Sequence, residues 1–134
     1  TEPPPLADIV DVLIGPMVRN SHDAEQGGVD FARLANDLLN TADQERVLPL
    51  IERYFDAMAR PFIAALRRAL PARSEADIQW AYHFASGAMA HSIANVGRLA
   101  RLSGGACRAD DVEEHLARMR RHLIAGFAAP GAAA

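Results

Sequence analysis

The chain has 134 residues, of which 50% are hydrophobic and 23% are charged, and its net charge is −3. This composition excludes a disordered or collagen-like chain, and the length suffices for one hydrophobic core without disulfides or metals. All 14 basic residues are arginine, and their number is below the 17 acidic residues, which excludes the concentrated positive charge of a nucleic-acid-binding surface. No apolar run is long enough to cross a membrane and the first residues lack a basic signal-peptide region, so we expect a soluble, cytoplasmic protein without membrane contact.

The ends of the chain and its one cysteine give further expectations. Cys107 is the only cysteine, which excludes an intrachain disulfide and a cysteine-rich zinc site. The sequence begins at Thr1 and not at Met, so we expect a piece of a longer protein. We predict a disordered segment over residues 1–5, one folded unit over residues 6–130 and a flexible tail over residues 131–134.

The local sequence predicts an all-α fold of five helices. Alanine occupies 27 positions and favours helix, whereas alternating β-branched residues and Asn-Gly or Asp-Gly hairpin turns are absent from the sequence. The first helix is predicted over about 6–19. A loop with Gly27 and Gly28 follows it, and a short second helix then carries Phe31 to Leu39.

The third predicted helix runs from Thr41, which has capping-box spacing to Gln44, to about Leu70. Its apolar face follows helical spacing and consists of Ile51, Phe55, Met58, Phe62 and Leu66. Two prolines, Pro49 and Pro61, interrupt it. Because a helical proline cannot donate to the carbonyl four residues earlier, Pro61 either bends the helix into a cavity wall or begins a separate helix after a short break.

The fourth predicted helix, over about 75–102, is apolar on opposite sides. It begins with a capping box of Ser74 and Asp77 and ends at Gly104-Gly105. Its first face contains Ile78, Tyr82, Ala85, Met89, Ile93 and Val96. Its second face, roughly 200° away at about 100° per residue, contains Trp80, Phe84, Gly87, His91 and Ala94. A helix with two apolar faces needs two partners, and the second partner can be another copy of the protein.

The fifth predicted helix is capped by Asp110 and runs to about Phe127. Its apolar residues have spacings of four and three, typical of a helix-packing surface: Val112, Leu116, Met119, Leu123 and Phe127. Acidic residues in its first turns and arginines towards its end complement the helix dipole. We interpret these charges as a solvent-exposed face rather than as a specific anion site.

Residues with catalytic or metal-binding chemistry do not form a recognisable motif. His83 and His91 are eight residues apart, whereas two metal ligands on one helix are usually four apart. A nucleophile elbow and a phosphate-binding glycine loop are also missing from the sequence. We therefore predict no catalytic residue, no metal site and no cofactor, and we expect that the protein is not an enzyme. His91 is interpreted as a core or interface histidine, or as a hydrogen-bonding partner of a ligand.

Three segments of the sequence carry a family resemblance. They are Ala65-Leu66-Arg67-Arg68-Ala69-Leu70-Pro71, then Ile78-x-Trp80-x-x-x-Phe84-x-x-Gly87-Ala88-x-x-His91, and finally Ile124-Ala125-Gly126-Phe127-Ala128-Ala129-Pro130. Together they resemble the C-terminal effector-binding and dimerisation domain of TetR-family transcriptional regulators, over about residues 6–130. The resemblance implies that the last two helices pair with those of a second subunit in an intersubunit four-helix bundle. It also implies that the preceding helices enclose a pocket for a small, largely apolar effector.

This resemblance implies a regulatory domain, which we expect to belong to a repressor. The domain would form a homodimer, bind a small-molecule effector and control DNA binding by an N-terminal helix-turn-helix domain, which this chain lacks. DNA contact is expected only through that domain. The alternative is a stand-alone helical protein-interaction adaptor without a ligand pocket, because the second face of the fourth helix can form an exposed apolar groove in a monomer.

Two sets of residues are predicted to carry these functions. The predicted effector-binding residues are Met17, Phe31, Leu34, Phe55, Met58, Phe62, Trp80, His83, Phe84 and His91, and the alternative is that they only fill the core. The predicted dimer contacts are Tyr82, Met89, Ile93, Leu116, Met119 and Leu123, and the alternative is that the second face of the fourth helix meets the partner.

Overall fold

The computed structural model describes residues 2–131. Within this range the chain forms helices and no strand, which confirms the predicted all-α class. The predicted disordered segment 1–5 has neither helix nor strand over residues 2–5, and residue 1 lies outside the described residues. The predicted flexible tail 131–134 also lies outside them, except for Gly131. None of the described helices has the length and apolar content that crossing a bilayer requires.

The helices follow the predicted order, but two of them are divided. In chain order they are α1 Leu6–Ser21, α2 Gly28–Asn40, α3 Gln44–Leu50, α4 Ala57–Ala69, α5 Glu75–Ala94, α6 Val96–Leu102 and α7 Val112–Ala128. A short 3-10 turn, Ala24–Gln26, precedes α2, and a π-helical segment, Ile51–Asp56, joins α3 to α4. The predicted number of five helices is therefore not confirmed.

The π-helical segment divides the third predicted helix between its two prolines. Pro49 lies inside α3 and Pro61 inside α4. The wider turn ends where the Ala57 N–H donates to the Glu52 carbonyl, five residues earlier. Ala57 is also the residue whose carbonyl would accept from position 61, where proline has no N–H. The helix continues through Pro61, so this proline does not begin a separate helix.

An asparagine divides the fourth predicted helix. Asn95 leaves the helical conformation, and its side-chain amide donates to the His91 carbonyl at 3.1 Å. Such local side-chain bonds compete with the helical backbone pattern. The predicted start of this helix is confirmed, because Ser74 and Asp77 form both hydrogen bonds of the capping box.

Two other helix starts were predicted on a neighbouring residue. The Asp43 side chain, and not that of Thr41, accepts from a backbone N–H in the first turn of α3. Asp111, and not Asp110, accepts from the Glu114 N–H at the start of α7. In both cases the backbone conformation determines which side chain can reach the free N–H groups of the first turn.

The core is built around α1, which packs against α2, α4, α5 and α7. Its buried side chains come mainly from these helices: Ile9, Val10, Leu13, Ile14, Val18, Ala32, Leu66, Ile78, Ala85, Ile93, Met119, Leu123 and Phe127. Because α1 occupies the centre, one face of α5 and one face of α7 are directed inward. This arrangement decides which side chains remain available at the surface.

Candidate functional site

The first face of α5 forms part of the core of the same chain. Ile78, Ala85 and Ile93 on this face are each no more than 2% exposed. Tyr82 and Met89 are half-buried and pack against the same core. The burial of Tyr82 raises the pKa of its hydroxyl, and a hydrogen bond with Ser86 partly offsets that effect. The side chains of this face are therefore already covered within one chain.

The second face of α5 is exposed. Trp80 is 60% exposed and Phe84 is 65% exposed, although both are large apolar side chains. Their ring centroids are 5.5 Å apart, and the His83 ring lies edge-on to Trp80 at 5.8 Å. Gly87 and His91 continue the exposed face along the helix. Contiguous exposed apolar surface of this kind is typical of contact sites for other molecules.

A groove of about 250 Å³ lies beside these aromatic rings, between α5 and α7. Its walls include Trp80, Phe84 and Ala88 from α5 and His122, Gly126 and Phe127 from α7. Near one end, Arg73 donates to the Ala128 carbonyl at 2.8 Å and holds the end of α7 in place. Small residues on both walls allow another helix or ring to approach closely. The groove and the second face of α5 form one continuous surface, which we call the α5–α7 surface.

The predicted dimer contacts lie mostly inward. Ile93, Met119 and Leu123 are buried, and Tyr82, Met89 and Leu116 are half-buried against the core. They offer little area to a second copy, because α1 and the neighbouring helices already cover them. The open area lies on the α5–α7 surface, which includes the alternative face considered from the sequence.

Four predicted effector-binding residues lie together on the outer side of α5. Trp80 and Phe84 line the groove, and Trp80 and His83 line a neighbouring concavity of about 330 Å³. His91 is exposed further along the helix, where its Nδ1 atom lies 3.5 Å from the Asn95 side-chain amide. These residues belong to the α5–α7 surface and not to an interior pocket.

The other six predicted effector-binding residues lie on α1, α2, the π-helical segment and α4. Both α2 and α4 pack against α1. Met17, Phe55 and Phe62 are half-buried, whereas Phe31 and Leu34 are each 58% exposed and Met58 is 55% exposed. Four of the ten predicted residues are thus on α5, and the other six are distributed over α1, α2, the π-helical segment and α4.

Exposed ion pairs connect the helices around these surfaces. Arg120 of α7 pairs with Asp11 of α1 at 2.7 Å, and Arg118 pairs with Glu114 within α7 at 2.7 Å. Arg67 of α4 pairs with Glu75 of α5. Hydrogen bonds from Arg67 and then Gln79 lower the pKa of Glu75 to about 2. Arg118 and Arg120, which lie in the middle of α7 and not in its last turn, are therefore used in pairing with carboxylates.

The sequence did not indicate a contact between two histidines that lie 93 residues apart. His22, directly after α1, has its Nε2 atom 3.4 Å from Nδ1 of His115 on α7. Nε2 of His115 lies 2.7 Å from the Ser92 hydroxyl on α5. Only the packing of three helices brings these side chains together, so no local pattern predicts them. Over residues 2–131, no three His, Cys, Asp or Glu side chains are grouped to hold a metal ion.

Comparison with known proteins identifies one family. The family described as "Tetracyclin repressor-like, C-terminal domain" matches residues 11–126, a range that includes most of α1 and nearly all of α7. Searches of curated proteins and of solved structures give no significant match. The matched range includes the whole second face of α5.

Proposed function

The chain belongs to the family of tetracyclin repressor-like C-terminal domains, and from this premise we propose that it is the effector-binding and dimerisation domain of a transcriptional regulator. In this proposal the domain acts in the cytoplasm as part of a repressor. An N-terminal domain of the parent protein contacts DNA, and a small apolar effector changes how two such domains are spaced. The observation that carries the proposal is the exposed aromatic α5–α7 surface.

We propose that two copies pair through the α5–α7 surface. Trp80 and Phe84 are exposed beside a groove, and a two-fold axis brings the same surface of a second copy against them. The rings of each copy can then fill the groove of the other, where Ala88 and Gly126 leave space for them. Four helices, α5 and α7 from each copy, would form the bundle, with a total buried area above about 1,000 Å² if the dimer is stable.

The effector site is proposed around α1, between α2 and the α3–α4 region. Phe31 and Leu34 on α2 and Met58 on α4 provide exposed apolar area on these helices, while Met17 and Phe62 pack against the core. The π-helical segment and Pro61 make the α3–α4 region irregular, and irregular helices adjust more readily to a ligand than regular ones. Methionine side chains add further adaptability.

Regulation follows if the effector binds one conformation of the dimer more tightly than another. A ligand shifts an equilibrium only by its difference in affinity for the two states. Because α1 packs against both the proposed effector region and α7, a movement of α1 would change the position of the dimerisation helices. The coupling is reciprocal, so DNA binding by the parent protein would weaken effector binding by the same factor.

Sedimentation velocity of two charge variants tests the proposal. Phe84→Glu places a charge on the α5–α7 surface, and Phe31→Glu is the matched control because Phe31 is similarly exposed, at 58%, on α2. We expect a dimer at micromolar concentration for the wild type and for Phe31→Glu, and a monomer for Phe84→Glu. A dimer that survives in Phe84→Glu would contradict the proposed surface. A wild-type monomer would contradict the dimer and favour the adaptor, whose partner would occupy the exposed groove.

A further inference from the structure

Three side chains from three helices form a continuous hydrogen-bonded chain. His22 caps the C-terminal end of α1, His115 lies in the first turns of α7, and Ser92 lies near the end of α5. The two imidazole rings meet edge-on, with centroids 5.7 Å apart and an angle of 73° between their planes. The facing nitrogens are 3.4 Å apart, and the second nitrogen of His115 lies 2.7 Å from the Ser92 hydroxyl.

This arrangement limits how many protons the histidine pair can hold. In the tautomer of neutral His115 that carries its proton on Nε2, this N–H donates to the Ser92 hydroxyl and Nδ1 accepts from the Nε2–H of His22. Both bonds persist if His22 becomes charged, because its Nε2 still donates. If His115 is protonated as well, its Nδ1 also carries a hydrogen, and two N–H groups with like charge then face each other. The bond between α1 and α7 is lost in that state.

The electrostatic fields of the two helix ends act in opposite directions on a positive charge at the two imidazoles. The C-terminal end of α1 favours a positive charge, whereas the N-terminal turns of α7 oppose one. Burial and then the charge of His22 lower the pKa of His115. Protonation of His115 is therefore the event that separates the pair.

The charged groups around the pair are already engaged in other contacts. Glu113 of α7 pairs with Arg19 of α1 at 2.7 Å. The Asp111 carboxylate accepts from the Glu114 N–H. Both carboxylates therefore have partners of their own outside the histidine pair.

The loop before α7 and the exposed side of α5 complete the surroundings. Asp110 is bonded to Arg108, which lowers the pKa of this carboxyl, with a smaller lowering from the charge of His22. His91, the residue before Ser92, is exposed and contacts Asn95. Asp110 thus has Arg108 as its main partner, and His91 has Asn95.

We propose that His22, His115 and Ser92 form a proton-sensitive latch that fastens the end of α1 to α5 and α7. The latch is closed while at most one imidazole is charged, and it opens when both are charged. It holds the central helix at the point where α1 leaves the core, so its opening loosens the α1–α7 contact first. This property of the fold does not depend on the proposed regulatory function.

Histidine-detected NMR titration of the intact chain between pH 8 and pH 5 tests the latch. We expect His115 to hold its proton on Nε2 near neutral pH and to titrate below the ordinary imidazole value of about 6.5. His22→Gln removes the neighbouring charge and should raise the pKa of His115. Arg121→Gln is the matched control, because it removes an exposed positive charge from the same helix outside the groove, and it should leave the His115 titration unchanged.

A second readout follows the opening itself. Backbone signals of residues 18–22 should shift with the same midpoint as His115, and His115→Gln should abolish this shift because glutamine does not ionise. The proposal is overturned if His115 titrates at or above about 6.5, or if its pKa is the same in His22→Gln and in the wild type. It is also overturned if the signals of residues 18–22 respond to pH equally in His115→Gln.

Discussion

Truncation of one residue on each face of α5 distinguishes its core side from its contact side. Ile93 on the first face is 1% exposed, and Phe84 on the second face is 65% exposed. Ile93→Ala removes three buried carbon groups, worth about 2.4 kcal/mol at roughly 0.8 kcal/mol each. The cavity left behind brings the expected loss of unfolding free energy to about 2–5 kcal/mol. Phe84→Ala in an isolated chain should cost about 1 kcal/mol or less, because most of this side chain is already in water.

Urea denaturation at low and high protein concentration measures both effects. The loss for Ile93→Ala should be nearly the same at both concentrations, because the contact lies within one chain. The loss for Phe84→Ala should increase with concentration, because at high concentration this variant also loses dimer contacts. The reasoning is refuted if Ile93→Ala costs less than about 1 kcal/mol, or if Phe84→Ala costs as much as Ile93→Ala in the dilute sample.

Three further predictions concern local contacts and the proposed effector region. Ser74→Ala removes the capping side chain of α5 and should lower the free energy of unfolding by about 0.5–2 kcal/mol, measured by urea denaturation; an unchanged value would contradict the role of the cap. The pKa of Glu75 is lowered from 4.5 to about 2 in the folded chain, so the pair with Arg67 stabilises the fold above about pH 4.5, and this contribution is lost as the pH falls towards 2. Arg67→Gln should therefore reduce the decrease of the urea midpoint between pH 5 and pH 3, and an equal decrease in both proteins would refute this. In thermal-shift screening with small hydrophobic compounds, Leu34→Glu should reduce the stabilisation that a binding compound gives. Leu99→Glu is the control, because Leu99 is a similarly exposed leucine on α6, and it should leave that stabilisation unchanged. The proposed position of the effector site is wrong if both variants respond alike.

Local sequence signals predicted several helix ends correctly, because the residues that determine a helix end lie within a few positions of it. Ser74 and Asp77 are three residues apart and form the predicted capping box. Gly104 and Gly105 adopt positive φ angles just after α6, as expected of residues that end a helix. The break at Asn95 was missed, because whether an asparagine side chain bonds to its own helix depends on how that turn is packed.

The features that the sequence did not predict depend on contacts between helices that are far apart in the chain. Both faces of α5 are apolar in the sequence, and the packing of α5 against α1, α2, α4 and α7 determines that Ile93 lies inside and Phe84 outside. Phe31 on α2 and Trp80 on α5 were assigned to one pocket, and both side chains are exposed in the folded chain. The contact between His22 and His115 likewise depends on how α1 meets α7.

Fluorescence of the single tryptophan tests most directly whether the α5–α7 surface is the dimer interface. Trp80 is 60% exposed in one chain and lines the groove of this surface, so its emission reports contact with a second copy without any label. The account predicts emission at shorter wavelength in concentrated wild-type protein, with a shift to longer wavelength on dilution and in Phe84→Glu at all concentrations. Emission typical of a solvent-exposed indole in a sample that sediments as a dimer would contradict the account, because the copies would then pair through another surface.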